Sequence, residues 1–226
     1  MMAGCASPAY LASNRLSARL STIHTVRVLP ARCEIFSVGA DTAEKIDEWS
    51  EIGARNITAA VRAELEKHGS LEVKLVEAAN ISEDSKSDLE QAQLLFEAVS
   101  LSVRLFIYGP TQQRLSNKIS NFDYSLGAEM AKIQPSVDAF VIVRARDRIF
   151  TTVGRATMLA LSVSSPAGLL LMSTAEQTTV DIGLVDARSG DILWYGSSAS
   201  AGSYDLRDPT SAANFVKNVL ADFPVK

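Results

Sequence analysis

The sequence predicts an α/β fold of the α+β kind, a central mixed sheet with a C-terminal β-hairpin, covered by helices. Three observations carry this. First, Val180, Ile182 and Leu184 alternate with Thr179, Asp181 and Gly183, the period-2 signature of a half-buried strand. Asp186-Ala-Arg-Ser-Gly-Asp191 then supplies turn chemistry, and Ile192-Leu-Trp-Tyr195 reads as the returning strand. Second, Val137–Val143 is almost continuously apolar, as expected of a central strand covered on both faces. Third, two long segments with apolar residues at helical spacing precede these strands, and a shorter one follows the hairpin. A hairpin alone is marginal in water, so these helices are expected to cover it and its sheet.

A chain of 226 residues, 47% hydrophobic and 21% charged, suits one domain with a sizeable core. A net charge of -4 argues against a nucleic-acid-binding surface, which is normally basic. Two histidines (His24, His68) and two cysteines (Cys5, Cys33) leave little for a transition-metal site, and no cofactor or metal is expected. Spacing alone does not decide whether the two cysteines pair.

The chain opens with Met2-Ala-Gly-Cys5, which fits the end of a bacterial lipoprotein signal. Small residues admit the signal peptidase, and the Cys5 thiol would accept a diacylglyceryl group. The basic and apolar regions of such a signal do not stand before it here, so two readings stay open: a start codon assigned too late, or a trimmed N-terminus. Residues 1–22 are therefore read as a leader remnant and polar tether, and 23–226 as a single α/β domain.

Thr25–Val38 is the first strand region, broken at Pro30, which cannot donate to a ladder. Cys33, between apolar neighbours, reads as a core thiol. A helix is expected over Ala43–Lys67, with Asp41 or Thr42 as N-cap and Gly69 as the terminating glycine. Its face is Ile46, Trp49, Gly53, Ile57, Ala60/Val61 and Leu65. Leu71–Val76 is a short alternating strand. A second helix opens near Ser82 and carries Leu89, Ala92, Phe96, Val99, Val103 and Phe106 in steps of three and four. Gly109-Pro110 stops it. A polar loop over Gln112–Ser125 then leads to a short helix near Ala128–Ile133.

Arg144-Ala-Arg-Asp-Arg148, after the buried strand, reads as a solvated strand end or an ion-pair network. Thr157–Met172 is an apolar excursion of about 16 residues, short of the roughly 20 that a spanning helix needs. Two readings stay open: a buried hairpin or loop, or a segment that packs between subunits or enters a membrane. After the hairpin, Asp208-Pro209 starts a last helix with Asp as N-cap and Pro at N1. Its stripe is Ala212, Phe215/Val216, Val219/Leu220 and Phe223.

The sequence has no phosphate-binding glycine loop, His-Glu-x-x-His, Cys-x-x-Cys or nucleophile elbow. Asp181 and Asp186 could be imagined as a catalytic pair, but their pleat parity is opposite; solvated positions and turn bonding account for them. No catalytic residues are expected, and a hydrolase built from scattered polar residues is the alternative of a different class.

Leu184-Val-Asp-Ala-Arg-Ser-Gly-Asp-Ile-Leu-Trp194, following Val137-Asp-Ala-Phe-Val-Ile-Val143, resembles the curli-secretion lipoprotein (CsgG-like) superfamily. Its relatives include Pel-polysaccharide export lipoproteins and activators of penicillin-binding proteins. The resemblance runs from about Val26 to Pro224 and rests on short structural motifs. It implies helices on a sheet, anchoring in the outer membrane on its periplasmic side through Cys5, and frequent ring-like oligomers. It transfers no catalytic residues; Asp186, Gly190 and Trp194 carry structural roles in the hairpin. The chain departs from the family pattern at Thr157–Met172, which lacks the alternation of a pore-forming hairpin. The expected function is a non-catalytic assembly or interaction module of the cell envelope, with a protein partner or a second copy of itself. An oligomeric subunit of a secretion or polysaccharide-export system is the alternative.

Overall fold

The computed structural model describes residues 10–76, 81–108, 121–164 and 177–224. Cys5, Gly109-Pro110, most of the expected polar loop and the second half of the apolar excursion lie outside the described residues. The fold is α/β, as expected, with one mixed sheet. Its strands are β1 (Tyr10–Ala12), β2 (Thr25–Val28), β3 (Arg32–Val38), β4 (Ala43–Lys45), β5 (Glu72–Leu75), β6 (Ala139–Phe150), β7 (Thr178–Asp186) and β8 (Ile192–Ser200). The described helices are α1 (Leu16–Leu20), α2 (Asp47–Glu66), α3 (Glu83–Phe106), α4 (Met130–Ile133), α5 (Thr152–Ser164) and α6 (Pro209–Val219).

The long strand β6 is the spine. β7 pairs antiparallel along one side of it and β8 continues outward, with β1 on the outer side of β8. On the other side β2 and β3 both run parallel to β6, β2 along its first half and β3 along its second. Pro30 sits at the break between them, and its carbonyl accepts from Gln93 Nε2 at 2.7 Å. The missing proline N–H is thus placed where the ladder is already interrupted. Asp138 fixes the start of this alignment, its carboxylate accepting from the backbone N–H groups of His24 and Thr25, both at 2.9 Å.

Two cores cover the two faces. On one, α2 and α6 bury Ile57, Val61, Leu65, Phe215 and Val216 against Val141, Val143, Ile182 and Trp194. On the other, α3 and α4 bury Leu89, Ala92, Phe96, Val103, Met130 and Ile133 against Phe140, Ile142, Val185 and Tyr195. The sheet is the middle of three layers. For this reason β7 is buried along its whole length, and the half-buried alternation expected for it is corrected: Asp181 and Gly183 lie under α3.

Three further boundaries differ from expectation. Residues 43–45 are not helical; they form β4 and pair with Phe36–Val38, so α2 begins at Asp47. Neither Asp41 nor Thr42 caps it. Gly69 does not supply a left-handed cap either; α2 closes when the Lys67 N–H turns back onto the Glu64 and Leu65 carbonyls. Within the expected tether, Tyr10–Ala12 forms β1, because the open edge of β8 offers it a ladder, and α1 follows. Thr157–Ser164, the first half of the apolar excursion, is neither hairpin nor loop but the body of α5. The last helix is as expected: Asp208 accepts from Ser211 N at 2.6 Å, Pro209 opens α6, and its apolar stripe is buried.

Candidate functional site

The densest polar cluster is built by strand register. Arg32 on β3, Arg144 on β6, Asp181 on β7 and Ser197 on β8 stand side by side across four strands, beneath α3. From α3, Glu97 and Arg104 come down onto this row. Asp181 is fully buried. Its Oδ1 accepts from Arg104 Nη2 at 2.7 Å, Tyr195 Oη at 2.8 Å and Ser197 Oγ at 2.7 Å. Its Oδ2 accepts from Arg144 Nη1 at 3.2 Å and Arg104 Nε at 3.3 Å. Glu97 bridges Arg32 at 3.2 Å and Arg144 at 3.3 Å, and Arg146 meets Glu34 at 3.6 Å in the next row.

The arginine patch is therefore an ion-pair network within the sheet, whereas the solvated place expected for Asp181 is corrected. A buried carboxylate must be matched by cations and donors, and this one has five. Burial, and then the charge of Asp181, pushes the phenol of Tyr195 well up and that of Tyr108 up to about 12. Burial alone would lower the Arg104 guanidinium, and Asp181 more than offsets it. With both carboxylate oxygens taken, the cluster is suited to clamping α3 onto β6–β8. Gly183, two residues along β7, lets α3 approach: a Cβ there would lie 2.5 Å from a Phe96 ring carbon.

The hairpin residues serve the other end of β7. Asp186 Oδ1 accepts from Arg188 N at 2.9 Å and Ser189 N at 3.0 Å, and Oδ2 accepts from Arg19 Nε at 2.5 Å. Burial works against its charge, but the Ser189 N–H and Arg19 prevail and hold the carboxyl below its ordinary value. Gly190 has φ +73°, and a Cβ would fall 2.1 Å from the Gly127 carbonyl oxygen, so the turn excludes any larger residue on both counts. Trp194 is fully buried on the α6 side, with its ring edge-on to Phe223 at 5.1 Å. The structure does not bring Asp181 and Asp186 together; one faces α3 and the other closes the turn.

A third buried carboxylate is Asp147, which the sequence places only within the expected solvated strand end or ion-pair network of Arg144–Arg148. It points from β6 to the opposite face, where Thr178 Oγ1 donates at 2.9 Å and Leu206 N at 3.1 Å. Burial outweighs these two neutral donors and raises its carboxyl. Period-2 parity with Ala145 and Val143 placed Asp147 on the core face, which is the one signal that could have found it. A cavity of about 300 Å³ lies beside it, lined by Arg148, Arg155, Tyr204 and Arg207 among others. Cys33 is a buried free thiol, pushed up to about 12 by burial and then by Asp147. Its Sγ packs against α2 at Gly53, where a Cβ would lie 2.9 Å away.

The raised carboxyl of Asp147 has a signed consequence for stability. Above its folded pKa the charged form is penalised in the fold, and the penalty is lifted as pH falls through that value toward the unfolded value of about 3.9. Asp138, Asp186 and Asp205 are held low, so their contributions are complete above the unfolded value and lost below it. Stability is expected to rise on mild acidification and then fall. In Asp147→Asn the rise disappears while the acid limb stays; urea midpoints across pH check this, and an unchanged rise in the variant contradicts it.

Among the described residues no group of three or more His, Cys, Asp or Glu could hold a metal, and no helix is long and apolar enough to cross a membrane. His68 stacks on Phe223 at 6.2 Å. No family model and no curated protein matches the chain. Among solved structures, it is similar to a PelC dodecamer from Paraburkholderia phytofirmans, at 10% identity and TM-score 0.42 over 96% of each chain. It is also similar to lipoprotein GNA1162 from Neisseria meningitidis, at 15% identity and TM-score 0.30, covering 78% of this chain and 79% of that one. The LpoB C-terminal domain from Salmonella enterica matches at 12% identity and TM-score 0.28, covering 84% of this chain and 95% of that one.

Proposed function

We propose that this protein is a bacterial cell-envelope lipoprotein, anchored through Cys5 and facing the periplasm, that serves as a non-catalytic assembly or interaction module. The observation that carries the module reading is the outer side of α3. Its inner side is fixed to the sheet by Phe96 and the Asp181–Arg104 pair, yet Leu94, Leu95, Leu101 and Leu105 are 40–53% exposed on the other side. A helix apolar on two sides, with one side locked in place, offers a rigid surface to a partner. Leu94, Ala98, Leu101 and Leu105 are spaced by four, three and four residues, a pattern that reads the same in both directions. Such a stripe can meet itself across a two-fold axis, Ala98 opposite Leu101, which favours a second copy and supports the oligomeric reading as the alternative.

A photo-crosslinking residue placed at Leu101 in living cells tests this surface. The expected result is a discrete crosslinked species, at twice the chain mass of 24.3 kDa for a second copy and elsewhere for another partner. The species should be lost when Leu94 is also changed to Lys. Absence of any product from a folded, normally abundant protein would overturn the module reading.

A further inference from the structure

The connection from β8 to α6 passes the start of β7, and its two ends are held differently. Toward α6 the ties are fixed. Asn56 Nδ2 on α2 donates to the Leu206 and Arg207 carbonyls at 3.0 and 2.8 Å, and Asp205 N donates to Ser211 Oγ at 2.8 Å. Toward β8, where Gly202 turns the chain at φ +68°, the Tyr204 carbonyl oxygen lies 3.1 Å from Thr178 Oγ1. The same hydroxyl lies 2.9 Å from Asp147 Oδ1. Thr178 thus has one hydroxyl proton and two acceptors within reach of it.

The charge on Asp147 decides which acceptor receives that proton. An ionised carboxylate is the stronger acceptor, so it takes the proton and the Tyr204 carbonyl goes without. A protonated Asp147 donates its own proton to Thr178 Oγ1, and the hydroxyl proton turns to Tyr204. Of the two arrangements, only the second satisfies all three groups at once. Leu206 N, 3.1 Å from Asp147 Oδ2, donates in either state. Asp147 and Thr178 are each 1% exposed. The adjoining cavity is lined by Arg148 of β6, Arg155 of α5, Asp205 and Arg207 of the connection and the uncharged Ser211 of α6, and the Cys33 thiol of β3 feels the Asp147 charge. Among the described residues no cation forms an ion pair with Asp147, while Arg207 is bound to Asp205 at 2.7 Å. Burial, and after it the charge of Asp205, favours the neutral carboxyl.

We propose that Asp147, Thr178 and the Tyr204 carbonyl form a proton-operated fastener. With Asp147 protonated, two hydrogen bonds in series run from its carboxyl through Thr178 to Tyr204 and pin the β8–α6 connection to β7. Ionisation gives the carboxyl proton to water, reverses the Thr178 hydroxyl and releases the Tyr204 end. The connection is therefore fastened below the carboxyl's folded pKa and loosened above it. The device lies on the opposite face of the sheet from α3 and is independent of the surface proposed there.

The test is a pH titration of the full chain, labelled with carbon-13 and nitrogen-15, by NMR. The Asp147 Cγ and the Tyr204 carbonyl carbon are expected to shift with one common midpoint, above the ordinary value of about 3.9. Asp205, held low first by its hydrogen bond from Arg207, titrates separately below it. Across the common midpoint, and beyond the intrinsic pH dependence of exchange, amide protection over residues 201–204 should fall about fivefold, the loss of one hydrogen bond. Asp147→Asn keeps a donor toward Thr178 at every pH and should hold the Tyr204 carbonyl at its acid position. Thr178→Ser should behave as the parent does, whereas Thr178→Val should leave Asp147 titrating and Tyr204 still. An Asp147 midpoint at or below the ordinary value overturns the proposal. So does a Tyr204 carbonyl that stays fixed while Asp147 titrates, or that moves as in the parent when either Asp147→Asn or Thr178→Val is present.

Discussion

Asp181→Ala is expected to destabilise the protein by about 3–5 kcal/mol, the cost of removing one partner from a buried ion pair. The loss is large because the substitution strands several groups together. Arg104 and Arg144 keep their charges in the seam between α3 and the sheet, at 22% and 11% exposure, and the hydroxyls of Tyr195 and Ser197 lose their acceptor. At about 2–4 °C per kcal/mol for a chain of this size, the melting temperature should fall by roughly 6–20 °C. Asp181→Asn preserves shape and one acceptor but not charge, and should lie between the two. Glu97 already serves Arg144 from α3, so Glu97→Gln in the Asp181→Ala background should cost more than it does alone. Calorimetric scans check the series; an Asp181→Ala protein melting within 2 °C of the parent would mean that the clamp does not hold α3.

The second large effect is expected at Trp194. Trp194→Ala removes the largest fully buried side chain, and with it the partner of Phe223, at a cost of about 3–5 kcal/mol. Gly196 lies directly against the ring, where a Cβ would be 2.4 Å from the indole, so it has no side chain to fill the space that the smaller residue leaves. The indole Nε1 is buried with no hydrogen-bond partner among the described residues. Trp194→Phe therefore removes an unsatisfied donor along with part of the ring, and its cost should stay below about 1.5 kcal/mol. Urea unfolding followed through Trp49 resolves the two variants. Equal losses in Phe and Ala would contradict the account, since they would make the indole itself the requirement.

How far the fold could be read from sequence depends on which contacts decide each element. The α6 helix announces itself locally, through Asp208 as cap and Pro209 behind it. The Asp186–Asp191 turn is equally local, because Gly190 is required by its own φ and by the Gly127 carbonyl above it. The first half of β6, up to Val143, was legible because a stretch covered on both faces must be apolar; its charged second half was not. β7 was harder. Thr179, Asp181 and Gly183 look like a solvent face, and only the arrival of α3, some eighty residues earlier in the chain, turns that face into an interior. Asp181 then becomes the centre of a charge network whose other members, Arg32, Glu97, Arg104 and Arg144, come from three separate elements. β1 and β4 are three residues each and have no periodicity to read; they exist because β8 and β3 offer open edges. Local propensity favoured a longer α2 and a free tether, and edge pairing overrode both.

The lipoprotein reading depends on a position that sequence chemistry alone identifies, and its direct test is acylation. Cells expressing the protein from its own locus are labelled with a radioactive or alkyne-bearing fatty acid, and the protein is recovered. The account predicts a labelled chain that fractionates with the envelope, and a Cys5→Ala chain that carries no label and leaves that fraction. An unlabelled parent chain, or equal labelling of Cys5→Ala, would contradict it.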